Sequence, residues 1–177
     1  TGWTMVVGDP ALEPRLRPGR LAQAVLTAPP WPSLVILPRA GGTRLPAGGW
    51  TIGLWLYAEE ALPAGTVPVL TMAAAAPLRI ELFIDGTGLP RARWTAGSSS
   101  GLTPAPIGVP AIAPEQWRHL ALRFDGGALS LAVDAQLRPE TAVALSPAEP
   151  FPDTGWLGGA PGGAVWPGRI DDLRFYG

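Results

Sequence analysis

Glycine and proline recur at such short intervals along this chain that no uninterrupted segment is long enough for a long helix. Together they make up about a quarter of the 177 residues, and they fall between short apolar runs rather than at a fixed period. Apolar residues alternate within those runs, for example in Trp50–Tyr57 and Leu78–Ile84, which is the spacing of a half-buried strand. We predict an all-β domain, a two-sheet antiparallel β-sandwich of jelly-roll type. Other runs that predict strands are Trp3–Val7, Leu21–Leu26, Ser33–Leu37, Ala92–Ala96, the residues around Trp156, and Gly168–Tyr176.

The stretch from Trp117 to Val133 predicts a hairpin inside this sandwich. Apolar residues alternate on both sides of the turn sequence Asp125-Gly126-Gly127, and the apolar sides of the two arms match. Packing explains every residue of the hairpin without a reactive group. We therefore expect it to be scaffold, and we expect function to lie on loops or on a sheet face.

Composition excludes several classes of function. Charged residues are few and the net charge is -1, which gives no electrostatic reason to expect nucleic acid or an anionic membrane as partner. Cys, Lys and Asn are absent, which excludes disulfides, thiolate chemistry, lysine Schiff bases and N-glycosylation. The apolar runs are too short to span a membrane. We expect one domain over residues 1–177, cut from a larger protein because it begins without Met.

Ordered motifs over roughly residues 20–177 resemble one family. An early strand bears a Trp, a Trp-x-His strand runs into Asp-Gly, a second strand ends in Val-Asp, and the chain closes on Gly-x-Ile-Asp-Asp-Leu-Arg-Phe-Tyr. This pattern resembles the laminin-G-like jelly rolls of the concanavalin A-like lectin/glucanase superfamily. The resemblance implies the fold and makes His119 a framework position. The matching positions are Trp55, Trp117, His119, Asp125-Gly126, Val133-Asp134 and Gly168–Tyr176.

The sequence departs from the family pattern at two places that bear on calcium. Residues 27–32 read TAPPWP where the family often has Asp-Gly, which removes a candidate ligand, and Ala135 replaces the glycine after Asp134. Family members often bind calcium, and carboxylate oxygens of Asp171 and Asp172, near the loop of Asp153, form the candidate calcium site. In the alternative reading these aspartates cap loop amides or pair with nearby arginines, and the protein has no cofactor.

The signs of catalysis are weak. Gly97–Gly101 matches the Gly-x-Ser-x-Gly nucleophile elbow, but the sequence after it cannot form the required helix, so we expect a flexible loop. His119 is the only histidine and has no partner for a dyad or a metal set. Glu81 and Asp85 do not form the paired carboxylates of a glycoside hydrolase, nor do the adjacent Asp171 and Asp172, which point to opposite faces of their strand. We expect no enzyme activity.

Four of the eight tryptophans are candidates for a ligand site or an interface. Each lies beside Pro or Gly in an apparent loop or at a strand end, where an exposed indole could stack on a sugar or bury in a protein contact. For each one, the alternative is a structural role in packing. The four are Trp31, Trp94, Trp156 and Trp166.

These features leave three functional classes open. The first is a non-catalytic recognition or adhesion module that binds a glycan or a protein surface, outside the cell or on its surface. The second is a structural subunit of an extracellular or virion assembly, in which apolar loops bury against other copies of the chain. The third is a glycoside hydrolase. A binding module should be monomeric in solution, whereas an assembly subunit should associate.

Overall fold

The structure of the chain is a computed structural model. It describes residues 3–6, 16–21, 23–27, 34–38, 49–73, 78–105, 108–137, 141–142, 154–159 and 163–177. Within these ranges no residue is helical, so no helix there is long and apolar enough to cross a membrane. The described strands, in chain order, are β1 Trp3–Val6, β2 Leu16–Pro18, β3 Gln23–Leu26, β4 Leu34–Pro38, β5 Trp50–Ala58, β6 Val67–Ala73, β7 Leu78–Ile84, β8 Pro90–Ala96, β9 Ser99–Leu102, β10 Trp117–Phe124, β11 Ala128–Val133, β12 Gln136–Leu137, β13 Thr141–Ala142, β14 Thr154–Leu157 and β15 Gly168–Tyr176.

The strands form two antiparallel sheets. One sheet has the order β1-β4-β14-β6-β7-β8-β9. The other has the order β12-β11-β10-β5-β15-β3-β2, and β13 also pairs with β11. This arrangement confirms the predicted all-β sandwich, and the predicted hairpin is present as β10 and β11.

A single apolar core holds the two sheets together. In the eight-stranded sheet, Leu120 lies opposite Leu54 and Leu122 opposite Ile52, and all four side chains are buried. In the seven-stranded sheet, Leu82 lies opposite Leu70 and is also buried. Alternation of apolar residues therefore marks the core face of each sheet, and the other residues of these strands define the outer faces.

Five described strands were not predicted from the sequence: the short β2, β12 and β13, and the longer β6 and β9. β6 is buried from Val67 to Met72, so apolar and polar residues do not alternate along it. It also contains Pro68, at a shift in its register with β7, and proline argues against a strand in a sequence-based prediction. β9 lies in the segment expected to be a flexible loop. That expectation is wrong, because Gly97 and Ser98 form a tight turn and residues 99–102 pair with β8.

Ala135, which replaces the glycine of the family pattern, lies in the turn between β11 and β12. Val133 pairs with Gln136, so Asp134 and Ala135 form a two-residue turn between β11 and β12. Their φ angles are 49° and 66°, as a type I′ turn requires, and glycine is the usual second residue there. Asp134 also fixes the start of the hairpin, because its carboxylate accepts hydrogen bonds from the His119 backbone N–H at 2.9 Å and from Arg118 at 2.6 Å.

Candidate binding site

A polar cluster lies on the outer face of the seven-stranded sheet. We call Arg79, Glu81, Arg93 and Thr95 the Arg-Glu cluster. Glu81 lies opposite Arg93, and Arg79 lies opposite Thr95, on the neighbouring strands β7 and β8. Antiparallel partners point to the same side of a sheet, so the register alone brings these four side chains together. They line a cavity of about 300 Å³.

Ion pairs organise the Arg-Glu cluster around Glu81. Arg93 donates from Nε and Nη2 to the same oxygen, Oε2 of Glu81, at 3.0 and 2.8 Å. Arg79 approaches the other oxygen, with 3.8 Å between Nη2 and Oε1. The Glu81 side chain is only 7% exposed, whereas that of Arg79 is 50% exposed. The carboxylate is therefore held by Arg93, and among the described residues none accepts a hydrogen bond from the Arg79 guanidinium.

The same row of the sheet continues to a tryptophan. Thr71 on β6 lies opposite Glu81, and Trp156 on β14 lies opposite Thr71. The strand of Trp156 is two strand spacings, about 10 Å, from the strand of Glu81. The Trp156 side chain is half-buried, and Thr71 is 1% exposed, with no partner among the described residues for its Oγ1 hydroxyl. A buried hydroxyl without a partner is costly, and it lies next to the cluster.

The cluster is bounded at one end by a capped turn. The Oδ1 atom of Asp85 accepts hydrogen bonds from the Thr87 backbone N–H at 2.9 Å and the Leu89 N–H at 3.2 Å. Burial raises the pKa of the Asp85 carboxyl, but these hydrogen bonds and the nearby Arg91 outweigh it, so the pKa lies below its ordinary value. Asp85 therefore stabilises the turn between β7 and β8, which carry the Arg-Glu cluster.

A second surface lies on the outer face of the eight-stranded sheet. We call Trp55, Tyr57, Trp117 and His119 the aromatic stripe. The ring centroids of Trp55 and His119 are 5.0 Å apart, and those of Tyr57 and Trp117 are 5.2 Å apart. All four side chains are half-buried. Two arginines cover the stripe, with Arg20 over Trp55 at 5.4 Å and Arg169 over Tyr57 at 5.0 Å. The rings therefore pack on one another and under guanidinium groups.

The structure corrects the expected placement of two candidate tryptophans. Trp94 and Trp166 are 3% and 0% exposed, so both belong to the core and neither presents an indole to a partner. Trp94 lies on the inner face of β8, where Gly101 packs so closely that a Cβ at this position would clash with the indole Nε1. Trp156 alone of the described candidates lies on an outer face. Trp31 lies outside the described residues.

The candidate calcium ligands are engaged by the protein itself. Asp171 is buried, and its carboxylate accepts hydrogen bonds from the Leu21 N–H at 2.9 Å and the Asp172 N–H at 2.7 Å. Asp172 pairs with Arg174 at 2.6 Å. Asp153 lies outside the described residues, and the described part of the chain contains no group of three His, Cys, Asp or Glu side chains that could hold a metal. The carboxylates of Asp171 and Asp172 are therefore used in hydrogen bonds and an ion pair within the protein, and calcium binding stays a prediction.

The candidate catalytic residues also have structural roles. His119 packs on Trp55, and a Cβ at Gly53 would make only an ordinary van der Waals contact with it, at 3.5 Å from its Nε2. Gly97–Gly101 leads into a strand instead of a helix, so its serines do not form a nucleophile elbow. Glu81 is held by arginine, as described above.

Trp156 was a candidate from its sequence context, whereas no sequence pattern predicted the Arg-Glu cluster. The alternation in Leu78–Ile84 placed Arg79 and Glu81 on one face, and this was the only available signal. Arg93 and Thr95 join them through the register of β7 with β8, which no local pattern reveals.

Comparisons with known proteins agree with the fold. Domain 4 of AbnA, an extracellular GH43 arabinanase from Geobacillus stearothermophilus solved with arabinotriose, is 17% identical, with a TM-score of 0.74 over 98% of this chain and 81% of that one. The carbohydrate-binding module CBM66 from Bacillus subtilis is 13% identical, with a TM-score of 0.56 over 100% and 96%. Domains LG4-5 of the mouse laminin alpha1 chain are 16% identical, with a TM-score of 0.64 over 82% and 39%.

No curated protein sequence matches the chain. A laminin-G family model described as concanavalin A-like lectin/glucanases superfamily matches residues 35–177, which include both hairpin arms, the Arg-Glu cluster and the closing strand. The match spans most of the sequence and confirms the resemblance inferred from the ordered motifs. The chain belongs to the laminin-G-type family of the concanavalin A-like lectin/glucanases superfamily.

Proposed function

We propose that this protein is a non-catalytic module that binds glycans on the outer face of its seven-stranded sheet. The observation that carries the proposal is the row formed by Trp156, Thr71, Glu81 and Arg93 across four neighbouring strands. Glycan binding needs a flat apolar surface for the sugar ring and fixed polar groups for its hydroxyls. This row offers an indole at one end and charged donors and acceptors at the other.

The relatives support a recognition role. One neighbour is itself a carbohydrate-binding module, and another was solved in complex with arabinotriose. Since one neighbour is part of an extracellular enzyme and another of a laminin chain, we place this module outside the cell or on its surface. We propose that it acts without turnover, because the carboxylates considered for a hydrolase, those of Asp85, Glu81 and Asp171, accept hydrogen bonds from turn amides, Arg93 and backbone N–H groups.

A glycan panel tests the proposal. Purified protein is titrated by calorimetry with arabinotriose and with other neutral and acidic oligosaccharides. We expect at least one to bind, and we expect Trp156→Ala to weaken binding by about 2 kcal/mol, as for the loss of a buried aromatic anchor. The matched control is Trp117→Ala, which removes a half-buried indole from the opposite sheet and should leave the affinity unchanged. Release of reducing ends from any bound sugar would contradict the non-catalytic role.

A protein interface on the aromatic stripe is the second candidate function. Aromatic and arginine side chains are enriched at the centres of protein interfaces, and here two arginines flank four rings. In this case Trp117→Ala would weaken association with a protein partner or with other copies of the chain, while Trp156→Ala would not. Light scattering of the wild type and the two variants separates this function from the first, since a glycan-binding module should remain monomeric.

A further inference from the structure

We infer that the Arg-Glu cluster selects sugars that carry a carboxylate, an inference that rests on the proposed function. The cluster contains two guanidinium groups and one carboxylate, so it carries one excess positive charge near neutral pH. The next ion pair along β8, Arg91 with Asp85 at 3.6 Å, is neutral as a whole and does not cancel this charge. This excess positive charge is a property of the Arg-Glu cluster alone, since the whole chain carries a net charge of -1.

The two arginines of the cluster differ in how far they are used. Arg93 donates hydrogen bonds from Nε and Nη2 to Glu81, and its guanidinium also lies 5.0 Å from the centre of the Phe83 ring. Arg79 has only the 3.8 Å approach to Glu81, which is too long for a hydrogen bond. Within the described part of the chain, no side chain or carbonyl accepts a hydrogen bond from the Arg79 guanidinium. The planar fork of Arg79 is therefore the group that a ligand can take.

The geometry of that fork fits a carboxylate. A guanidinium presents two parallel N–H groups that match the two oxygens of a carboxylate, and such charge-assisted pairs are the strong ones. Glu81 fixes Arg93, and Arg93 and Thr95 form the other side of the cavity of about 300 Å³. Arg79 lies two residues from Glu81 along β7, beside the row that leads to Trp156, while its neighbour Thr95 lies on β8, away from Trp156. Arg79 is thus a specificity-determining residue, and Glu81 is a positioning residue.

Two pairs of sugars test the inference, each with a charged and a neutral member. The first pair is trigalacturonate and its methyl ester, which keeps the rings and removes the charges. The second pair is 3′-sialyllactose and lactose, which tests whether a sialic rather than a uronic carboxylate is preferred. We expect the charged member of at least one pair to bind about tenfold or more tightly than its neutral partner, as expected for a charge-assisted hydrogen bond. Raising the ionic strength should reduce this preference.

The variant Arg79→Gln identifies the group responsible. It should abolish the preference, so that the charged and neutral members of the pair bind with equal affinity and the tenfold ratio falls to about one. The control is Arg123→Gln, which removes the same charge from an exposed side chain on the other sheet and should leave the preference intact.

The outcomes separate this inference from the proposed function. Equal binding of charged and neutral sugars, or a preference that survives Arg79→Gln, would overturn the inference and leave a glycan-binding module. Binding of arabinotriose alone, without binding of either charged sugar, would also overturn it. Failure of every oligosaccharide to bind would overturn the proposed function as well.

Discussion

The turn between β11 and β12 holds an alanine in a backbone conformation that suits glycine. A non-glycine residue at positive φ costs roughly 1–2 kcal/mol, and the φ of Ala135 is 66°. Glycine would remove that strain, but it costs about 0.4–1 kcal/mol because the unfolded chain gains conformational freedom. The difference predicts that Ala135→Gly raises the free energy of unfolding by about 0.5–1 kcal/mol. In a chain of this length the melting temperature should rise by roughly 1–4 °C.

Gly97 offers the inverse control for this prediction. Its φ is 59°, and a Cβ there would meet no atom within 4 Å, so Gly97→Ala adds strain without a clash. By the same difference it should lower the free energy of unfolding by about 0.5–1 kcal/mol, because the strain of about 1–2 kcal/mol is partly offset by the reduced freedom of the unfolded chain. Urea unfolding of both variants, followed by tryptophan fluorescence, gives the two values. If Ala135→Gly is neutral or destabilising while Gly97→Ala destabilises, strain at the β11–β12 turn is not the reason why the family favours glycine there.

Three further predictions concern the core, pH and metal removal. Trp166→Ala should lower the free energy of unfolding in urea by about 3–5 kcal/mol because it leaves a cavity. Trp166→Phe should lower it less, because no described residue accepts a hydrogen bond from the indole Nε1. The Asp85 carboxyl has a lowered pKa, so its contribution to stability is present above the ordinary value of 3.8 and is lost as the pH falls through the lower folded-state value. Asp85→Asn should therefore lose less stability than the wild type when melts are compared from about pH 6 to about pH 2. Chelation of calcium should leave the melting temperature unchanged, whereas Asp171→Ala should lower it and speed hydrogen exchange at the Leu21 amide; a melting temperature that falls on chelation would contradict our account of Asp171.

The sequence predicts the fold well because local alternation and turn chemistry agree with it. The strand from Leu78 to Ile84 was predicted with its observed bounds, and so was the closing strand from Gly168 to Tyr176. β6 was not predicted, because it is buried along most of its length and therefore lacks the alternation of apolar and polar residues, and because it contains a proline.

The candidate site could be predicted only in part. Flanking Pro and Gly suggested exposed indoles, yet Trp166 has a proline beside it and is fully buried, because burial is decided by the opposite sheet and not by neighbours in sequence. The pairing of Arg93 with Glu81 depends on strand register, which is a property of the whole sheet.

A crystal structure with a bound oligosaccharide would test the central claim most directly. Our account predicts a sugar ring stacked on the Trp156 indole, with a second ring or its carboxylate at the Arg79 guanidinium. The sheet register supplies the two contacts on one face, so they should appear together. A sugar bound on the aromatic stripe of the opposite sheet, with the Arg-Glu cluster unoccupied, would contradict the account.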